Sequence, residues 1–388
     1  MRILIVADTL LTGGAEWFLL RKWAYLRSKG WQVELFVSRP DLVDNRFSQS
    51  FPDLRFLSAR SWMVRMAVFG DQILRRISGR MALLDWLTAL KIRSAIRHFD
   101  PELIHSHLFQ ADCKAFLANL RTRAPHLITV HGDYIESIKR KQFRLFAQMK
   151  RVLREVDRII VISEEQRRML EEFCPETRQK TQKIYNGYPV SAVPAYPTPK
   201  RFIFGLIARP IPEKGWEPAI KAFKLADIPG ATLRLYGEGE LLHRLAAENS
   251  DPRIEFCGFT SRPLEAVAGF SAGLFPSYYL SESLPTTIIE YLMAGKPVIT
   301  TPVGECAQMI ETTTGTAGIV IGLVDGFPDV EALAKAMKQL AADRPLYDAC
   351  SVRAHEAAAR FSMDHCMDQY ISEYLSLKTS RTCAESQG

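Results

Sequence analysis

Short apolar runs separated by helical stretches constrain the fold of this chain more than any single residue does. Arg2-Ile-Leu-Ile-Val-Ala7, Val33-Glu34-Leu35-Phe36-Val37, Leu103-Ile104-His105, Leu127-Ile128-Thr129-Val130 and Arg158-Ile159-Ile160-Val161-Ile162 are brief and mostly aliphatic. A helical pattern through Ala15-Glu16-Trp17-Phe18-Leu19-Leu20 follows the first of them, after Gly13-Gly14. Buried-type strands alternating with helices predict a parallel sheet covered on both faces. Near residue 188 the composition changes, with Pro189, Pro194, Pro197 and Pro199 close together, as in a linker. The alternation then restarts at Phe202-Ile203-Phe204-Gly205-Leu206. It continues through Thr232–Tyr236, Ile254–Phe256, Ala272–Phe275 and Pro297–Thr300. The reading is α/β: an N-terminal domain over 1–187, a linker over 188–200 and a second domain over 201–362. Both are doubly wound and Rossmann-like, with a cleft between them. In such sheets ligands bind at the carboxyl ends of the strands.

Glu282-Ser-Leu-Pro-Thr-Thr-Ile-Ile-Glu290 carries the strongest chemical signal. Two carboxylates flank the start of a helix that stops at Ala294-Gly295-Lys296-Pro297. Pro285 is expected at the first helical position, where a missing N–H costs nothing. The N–H groups of Thr286 and Thr287 would then be open to a phosphate at the positive end of the helix dipole. Glu282 and Glu290 would repel that phosphate but can accept hydrogen bonds from hydroxyls on either side of it. An anion with hydroxyls on both sides describes a nucleoside diphosphate-sugar. The competing reading has Glu290 on a stripe with Thr286 and Thr287, facing solvent, opposite Ile288, Ile289, Leu292 and Met293.

Length and charge add direction. The 388 residues suffice for two domains, each with its own core. No apolar run approaches the roughly 20 residues of a membrane-spanning helix, and the start reads as a strand rather than a signal peptide. The seven cysteines lack any Cys-x-x-Cys pair and read as free thiols of a cytoplasmic protein. Residues 1–200 carry 33 Lys and Arg against 20 Asp and Glu, whereas 201–388 carry 17 against 23. The basic half is expected to face an anionic partner, either a phospholipid surface or a phosphorylated acceptor, and no nucleic-acid motif is present. Residues 62–97 mix bulky apolar side chains with Arg65, Arg75, Arg76, Arg80, Lys91, Arg93 and Arg97. They read either as a basic amphipathic segment on an anionic membrane, placing the protein peripherally on its inner face, or as helices packed on the sheet.

Further motifs follow in order. They are Gly13-Gly14-Ala15-Glu16, His105-Ser106-His107, Thr129-Val130-His131-Gly132, Ile162-Ser163-Glu164 and Asn186-Gly187 in the first half. Ala208-Arg209 through Lys214-Gly215, Tyr236-Gly237-Glu238-Gly239 and Cys257-Gly258-Phe259 precede the Glu282–Glu290 segment. His105 and His107 are read as pointing to opposite faces of a strand, with His105 structural and His107 a weaker acceptor-side candidate. No grouping of His, Cys, Asp and Glu suggests a metal site.

Together and in this order, the motifs resemble the retaining glycosyltransferases of family four, which have the GT-B fold and a Glu-x7-Glu motif. The resemblance covers nearly the whole chain. It implies that Gly14 lies near the donor diphosphate and that Arg209 and Lys214 hold its β-phosphate. Glu282 is then expected to contact hydroxyls of the transferred sugar, and Glu290 those of the ribose. His131 would lie beside the reacting sugar. Backbone N–H groups of Ser283, Leu284, Thr286 and Thr287 are candidates for phosphate or sugar contacts, and Glu16 is a weaker acceptor-side candidate. Many relatives carry Gly-Phe-Gly where this chain has Ser-Leu-Pro, and Pro285 has no N–H to offer. The resemblance also implies metal-independent transfer with no cofactor. It adds a last helix, about 363–388, that returns to the first domain, with Thr379–Gly388 frayed. The expected activity is transfer of a hexose-type unit from a nucleoside diphosphate-sugar, UDP first among the bases. The acceptor would be a glycan or lipid-linked hydroxyl in bacterial surface polysaccharide or glycolipid synthesis, with retention of configuration. An epimerase or phosphorylase on the same fold, or a non-catalytic membrane-associated partner, are the alternatives.

Overall fold

A computed structural model describes residues 1–11, 13–58, 83–189 and 201–385, the side chains of residues 83, 84, 133, 144 and 380–385 excepted. The chain divides into two units, Met1–Asn186 with Met367–Gly388, and Gly187–Cys366. Most of the expected linker and of the basic segment 62–97 lies outside the described residues.

The first unit is built on a seven-stranded parallel sheet. Its strands are β1 (Arg2–Ala7), β2 (Gln32–Val37), β3 (Leu57–Ser58), β4 (Leu103–His107), β5 (His126–Val130), β6 (Arg158–Val161) and β7 (Thr181–Lys183). Their order is β3-β2-β1-β4-β5-β6-β7. The winding direction reverses between β1 and β4, where Ile5 pairs with His105 and Ala7 with His107. β1 and β4 are buried along almost their whole length, as expected of strands covered on both sides. Leu4, Val6 and Ile104 pack against Ala89, Ile92 and Ile96 of the helix Leu83–Phe99 and Ala111, Ala115 and Ala118 of the helix Phe109–Asn119. Alanine on the helix side keeps the helices close to the sheet.

The second unit repeats the plan with six strands. β8 (Ile203–Ile207), β9 (Thr232–Tyr236), β10 (Ile254–Gly258), β11 (Ala272–Phe275), β12 (Val298–Thr300) and the strand Gly318–Val320 run in the order β10-β9-β8-β11-β12 with Gly318–Val320 at the far edge. All the pairs are parallel. The reversal here falls between β8 and β11. A crevice outside the carboxyl ends of the strands at such a reversal is where open α/β sheets bind ligands. The segments leaving β8 and β11 at that end are Ala208–Lys214 and Pro276–Glu282.

Two expectations need correction. Pro285 is the residue before the helix, with an extended backbone (φ −69°, ψ 118°), and the helix spans Thr286–Met293. Its ring still fits, because the N-cap N–H takes no part in the helical ladder. The last helix runs Met363–Glu385, well beyond the point at which fraying was expected. It starts in the second unit and continues in the first, where Tyr370 and Tyr374 are fully buried.

Candidate active site

In the second unit the turn after β8 folds back as a short 3-10 helix, Pro212–Lys214, ending on Gly215. Gly215 has φ +80°, and a Cβ there would lie 2.1 Å from the carbonyl oxygen of Pro276. Only glycine allows this backbone to press against the segment leaving β11. The contact brings Lys214 to Glu282, and the two form a buried ion pair. Ser277 Oγ also donates to Glu282 Oε2 at 3.0 Å. The Lys214 ammonium lies 5.0 Å from the ring centre of Tyr279 and 5.4 Å from that of Phe275. Behind Glu282 stands Gly304, at φ +57°, whose missing Cβ would meet the Glu282 carbonyl at 2.3 Å. Glu305 N donates to Ser283 O at 2.9 Å, so the backbone of the motif is held from the far side.

The helix Thr286–Met293 starts at this cluster. Thr286 and Thr287 occupy its first two positions, whose N–H groups have no carbonyl partner within the helix. The Thr287 hydroxyl donates to Ile207 O at 3.1 Å and ties the helix start to the end of β8. Leu284 is half-buried and Ser283 buried. Glu290 does not face solvent: it is 6% exposed and accepts a 2.7 Å hydrogen bond from Tyr188 Oη. Arg209 has an exposed side chain, and its carbonyl accepts from Trp216 Nε1 at 3.0 Å. Lys214, Glu282, Ser283 and the helix start are thus gathered at the carboxyl end of the sheet.

In the first unit the expectation that His105 and His107 point to opposite faces fails, while His105 is core-facing as read. Residues two apart on a strand share a face. The two rings stack with centres 4.3 Å apart, and His107 stacks on His131 at 5.4 Å. All three imidazoles are buried. His107 Nδ1 lies 3.1 Å from His131 Nε2. Lys22, fully buried on the helix Gly14–Ser28, approaches from the other side, with Nζ 2.7 Å from His107 Nε2 and 3.0 Å from His105 Nδ1. His105 is bonded further to Tyr374 Oη (2.7 Å) and Thr129 Oγ1 (2.8 Å). Burial pushes the Lys22 amine well below its ordinary range. Burial and then the nearby Lys22 charge push His105 and His107 far down and His131 to about 3. His131 also precedes the helix Gly132–Lys139, and its carbonyl accepts from Gln166 Nε2 at 2.8 Å. Gln166 in turn accepts from Ile162 N at 2.9 Å, while Ser163 caps its helix by accepting from Gln166 N. The Ile162-Ser163-Glu164 motif therefore has a structural role that holds His131 in place.

Lys22 carried no sequence signal. It sits on a helix face between Phe18 and Leu26, where only the alternation of His105 and His107, correctly read, would have pointed to a polar partner. Immediately after His107, Leu108 takes φ +73° and ψ 146°, a conformation that costs a non-glycine residue on the order of 1–3 kcal/mol. On the opposite face of β4, Ser106 Oγ donates to Asp112 Oδ1 and contacts His126 Nε2, while Tyr134 Oη donates to Asp112 Oδ2. Serine, not histidine, is the middle member, so this is a satisfied buried network rather than a nucleophile. Glu16 folds back on its own helix start, with its carboxylate where a Cβ of Gly13 would stand. Gly14 opens that helix. The six described cysteines are free thiols. Among the described residues no helix is long and apolar enough to cross a membrane.

Two family models match, the first described as glycosyltransferase family 4 over residues 12–192 and the second as glycosyl transferases group 1 over 201–343. The chain is a glycosyltransferase with the GT-B fold. HepE of Anabaena, solved with UDP and glucose, superposes with a TM-score of 0.72 at 20% identity, covering 97% of this chain and 99% of that one. An exopolysaccharide phosphotransferase of Streptomyces coelicolor is 26% identical over 313 residues, which are 77% of this chain and 31% of that protein. A lipopolysaccharide core biosynthesis glycosyltransferase of Rhizobium meliloti, LpsE, is 29% identical over 170 residues, 42% of this chain and 47% of the other. The chain thus spans about a third to a half of the length of these two curated relatives.

Proposed function

We propose that this glycosyltransferase moves a hexose-type unit from a nucleoside diphosphate-sugar to a hydroxyl of a glycan or lipid-linked acceptor, with retention of configuration. The observation that carries the reading is the cluster at the β8/β11 reversal: a buried cation and a buried carboxylate beside a helix start, at the carboxyl end of the sheet. Lys214, with Arg209 beside it in sequence, neutralises the diphosphate. The positive charge gains importance as the bond to the sugar breaks and charge builds on the leaving group. Glu282 accepts from hydroxyls of the sugar, and Glu290 from those of the ribose. The departing phosphate takes the acceptor proton on the same face. Cationic side chains and the helix start supply this electrostatic work without a resident metal.

UDP is the favoured base, a choice supported by the UDP in HepE. Surface polysaccharide or glycolipid synthesis is supported by the descriptions of the two curated relatives, and we place it at the cytoplasmic face of a membrane. The basic first unit takes the acceptor. Trp86 and Leu90, both exposed and one turn apart on the helix Leu83–Phe99 beside Lys91, support contact with an anionic surface.

The test is incubation with UDP-, GDP- and ADP-sugars and a panel of glycan and lipid-linked acceptors, with the anomeric configuration of the product read by NMR. A product of inverted configuration would overturn the retaining mechanism. Free sugar phosphate as the sole product would indicate a phosphorylase, and isomerised donor without acceptor an epimerase.

A further inference from the structure

We propose that Lys22 is a positioning residue: through His107 it fixes His131 as the Nδ1–H tautomer, so that His131 meets a sugar hydroxyl as a hydrogen-bond donor. The last step rests on the family resemblance, which implies that His131 lies beside the reacting sugar.

A neutral imidazole has one N–H and one acceptor nitrogen, whereas a lysine ammonium only donates. Lys22 Nζ lies 2.7 Å from His107 Nε2, 3.0 Å from His105 Nδ1 and, more distantly, 3.4 Å from His105 Nε2. The remaining near neighbours of the amine are the rings of Phe18 and Tyr370, whose centres lie 5.3 and 4.8 Å away. No carboxylate pairs with it among the described residues. We take the amine as the donor to both imidazoles, the role an ammonium must play. His107 Nε2 therefore accepts, and the His107 proton sits on Nδ1. That proton points 3.1 Å to His131 Nε2, which must accept, leaving the His131 proton on Nδ1. The other branch is consistent. His105 accepts at Nδ1 from Tyr374 Oη at 2.7 Å, with the Lys22 amine at 3.0 Å sharing that lone pair, and donates from Nε2 to Thr129 Oγ1 at 2.8 Å.

The arrangement is more than packing requires. Burying an amine without an acid costs free energy, and an aliphatic side chain would fill the same space more cheaply. A directional chain of three hydrogen-bonded side chains, ending on a histidine at a helix start, gives that amine a use. Orienting partners of this kind fix which ring nitrogen carries the proton.

Long-range 1H–15N spectra of 15N-histidine-labelled protein read tautomers directly, with His131→Gln identifying the signal. His131 is expected as a single Nδ1–H tautomer in the wild type. Lys22→Met replaces the amine by an apolar chain of similar volume, and His107→Phe breaks the chain in the middle. Both are expected to give a mixture of tautomers at His131, with thermal unfolding showing the variants folded, and a fall in kcat/KM of roughly tenfold. An Nε2–H tautomer in the wild type would overturn the proposal, as would an unchanged Nδ1–H signal in either folded variant. If the tautomers behave as expected but His131→Gln keeps wild-type turnover, the relay stands and the placement of His131 beside the sugar falls.

Discussion

Lys214 and Glu282, 68 positions apart, form an ion pair in which each side chain is only 8% exposed. The residue expected to hold the diphosphate and the residue expected to hold the sugar are thus bonded to each other. A buried pair of this kind gives little net stability as a unit, but removing one partner leaves a bare buried charge, at a cost of about 3–5 kcal/mol. Lys214→Met and Glu282→Gln are each expected to be strongly destabilised in chemical denaturation. The double variant should be less destabilised than the sum of the two. Additive losses would mean that the pair is not formed in solution.

Arg209 makes the opposite prediction. Its side chain is exposed, so Arg209→Ala should change stability by no more than about 0.5 kcal/mol. If Arg209 holds the donor diphosphate, the same variant should raise the KM for the nucleotide-sugar at least several-fold. Unchanged donor kinetics would remove Arg209 from the site.

Glu290 is tied to Tyr188 by a 2.7 Å hydrogen bond within the second unit. Tyr188→Phe is expected to lower stability by about 1.5–3 kcal/mol, the range for a hydrogen bond to a charged group. Glu290→Ala is expected to abolish stabilisation by the nucleotide. Wild-type protein at about 100 times the dissociation constant should gain about 2.7 kcal/mol. Thermal unfolding with UDP, GDP and ADP measures both and identifies the base. A full nucleotide shift in Glu290→Ala would show that this carboxylate does not hold the ribose.

Acid should unfold the first unit early. Burial holds His126 and His131 at about 3, against about 6.5 in the unfolded chain, and pushes His105 and His107 down as well. The unfolded state then binds the extra protons, so stability is fully present above about pH 6.5 and falls as the pH drops towards 3. Two such histidines cost about 2.7 kcal/mol per pH unit in this window, so about 5 kcal/mol is gone at pH 4.5. That is a large part of a typical domain stability. Lys22 acts with the same sign at higher pH, because its amine is held down when folded and titrates near 10.5 when unfolded. Lys22→Met should therefore flatten the rise of stability with pH on the alkaline side. Urea midpoints between pH 4.5 and 9 test both statements, and a stability that rises on acidification would refute them.

The two sheets were legible because a strand buried on both faces leaves a run of apolar residues that nothing else in the chain imitates. Arg2–Ala7 and Thr232–Tyr236 match the observed strands residue for residue. The Glu282–Glu290 segment was legible for a related reason, since polar residues at the end of such a run can be placed by local spacing alone. What spacing did not reveal was partnership. Lys214 with Glu282, Tyr188 with Glu290 and Lys22 with His107 join segments that only the folded chain brings together. Lys22 looked like any helical lysine, because the sequence around it shows neither the strand it faces nor the absence of an acid. The misplacement of His105 relative to His107 came from the period of the strand rather than from missing information.

Tyr370 and Tyr374 lie on the last helix, yet their rings and hydroxyls complete the cluster around His105 and Lys22. On the ribosome, β1 to β7 emerge before the whole second unit is made, and the two tyrosines follow some 190 residues after β7. Until they arrive, a buried amine and two imidazoles have one side open to water. The first domain to be synthesised is therefore among the last to be finished, and translation that stops short of Tyr370 leaves it with a hydrated hole in its centre.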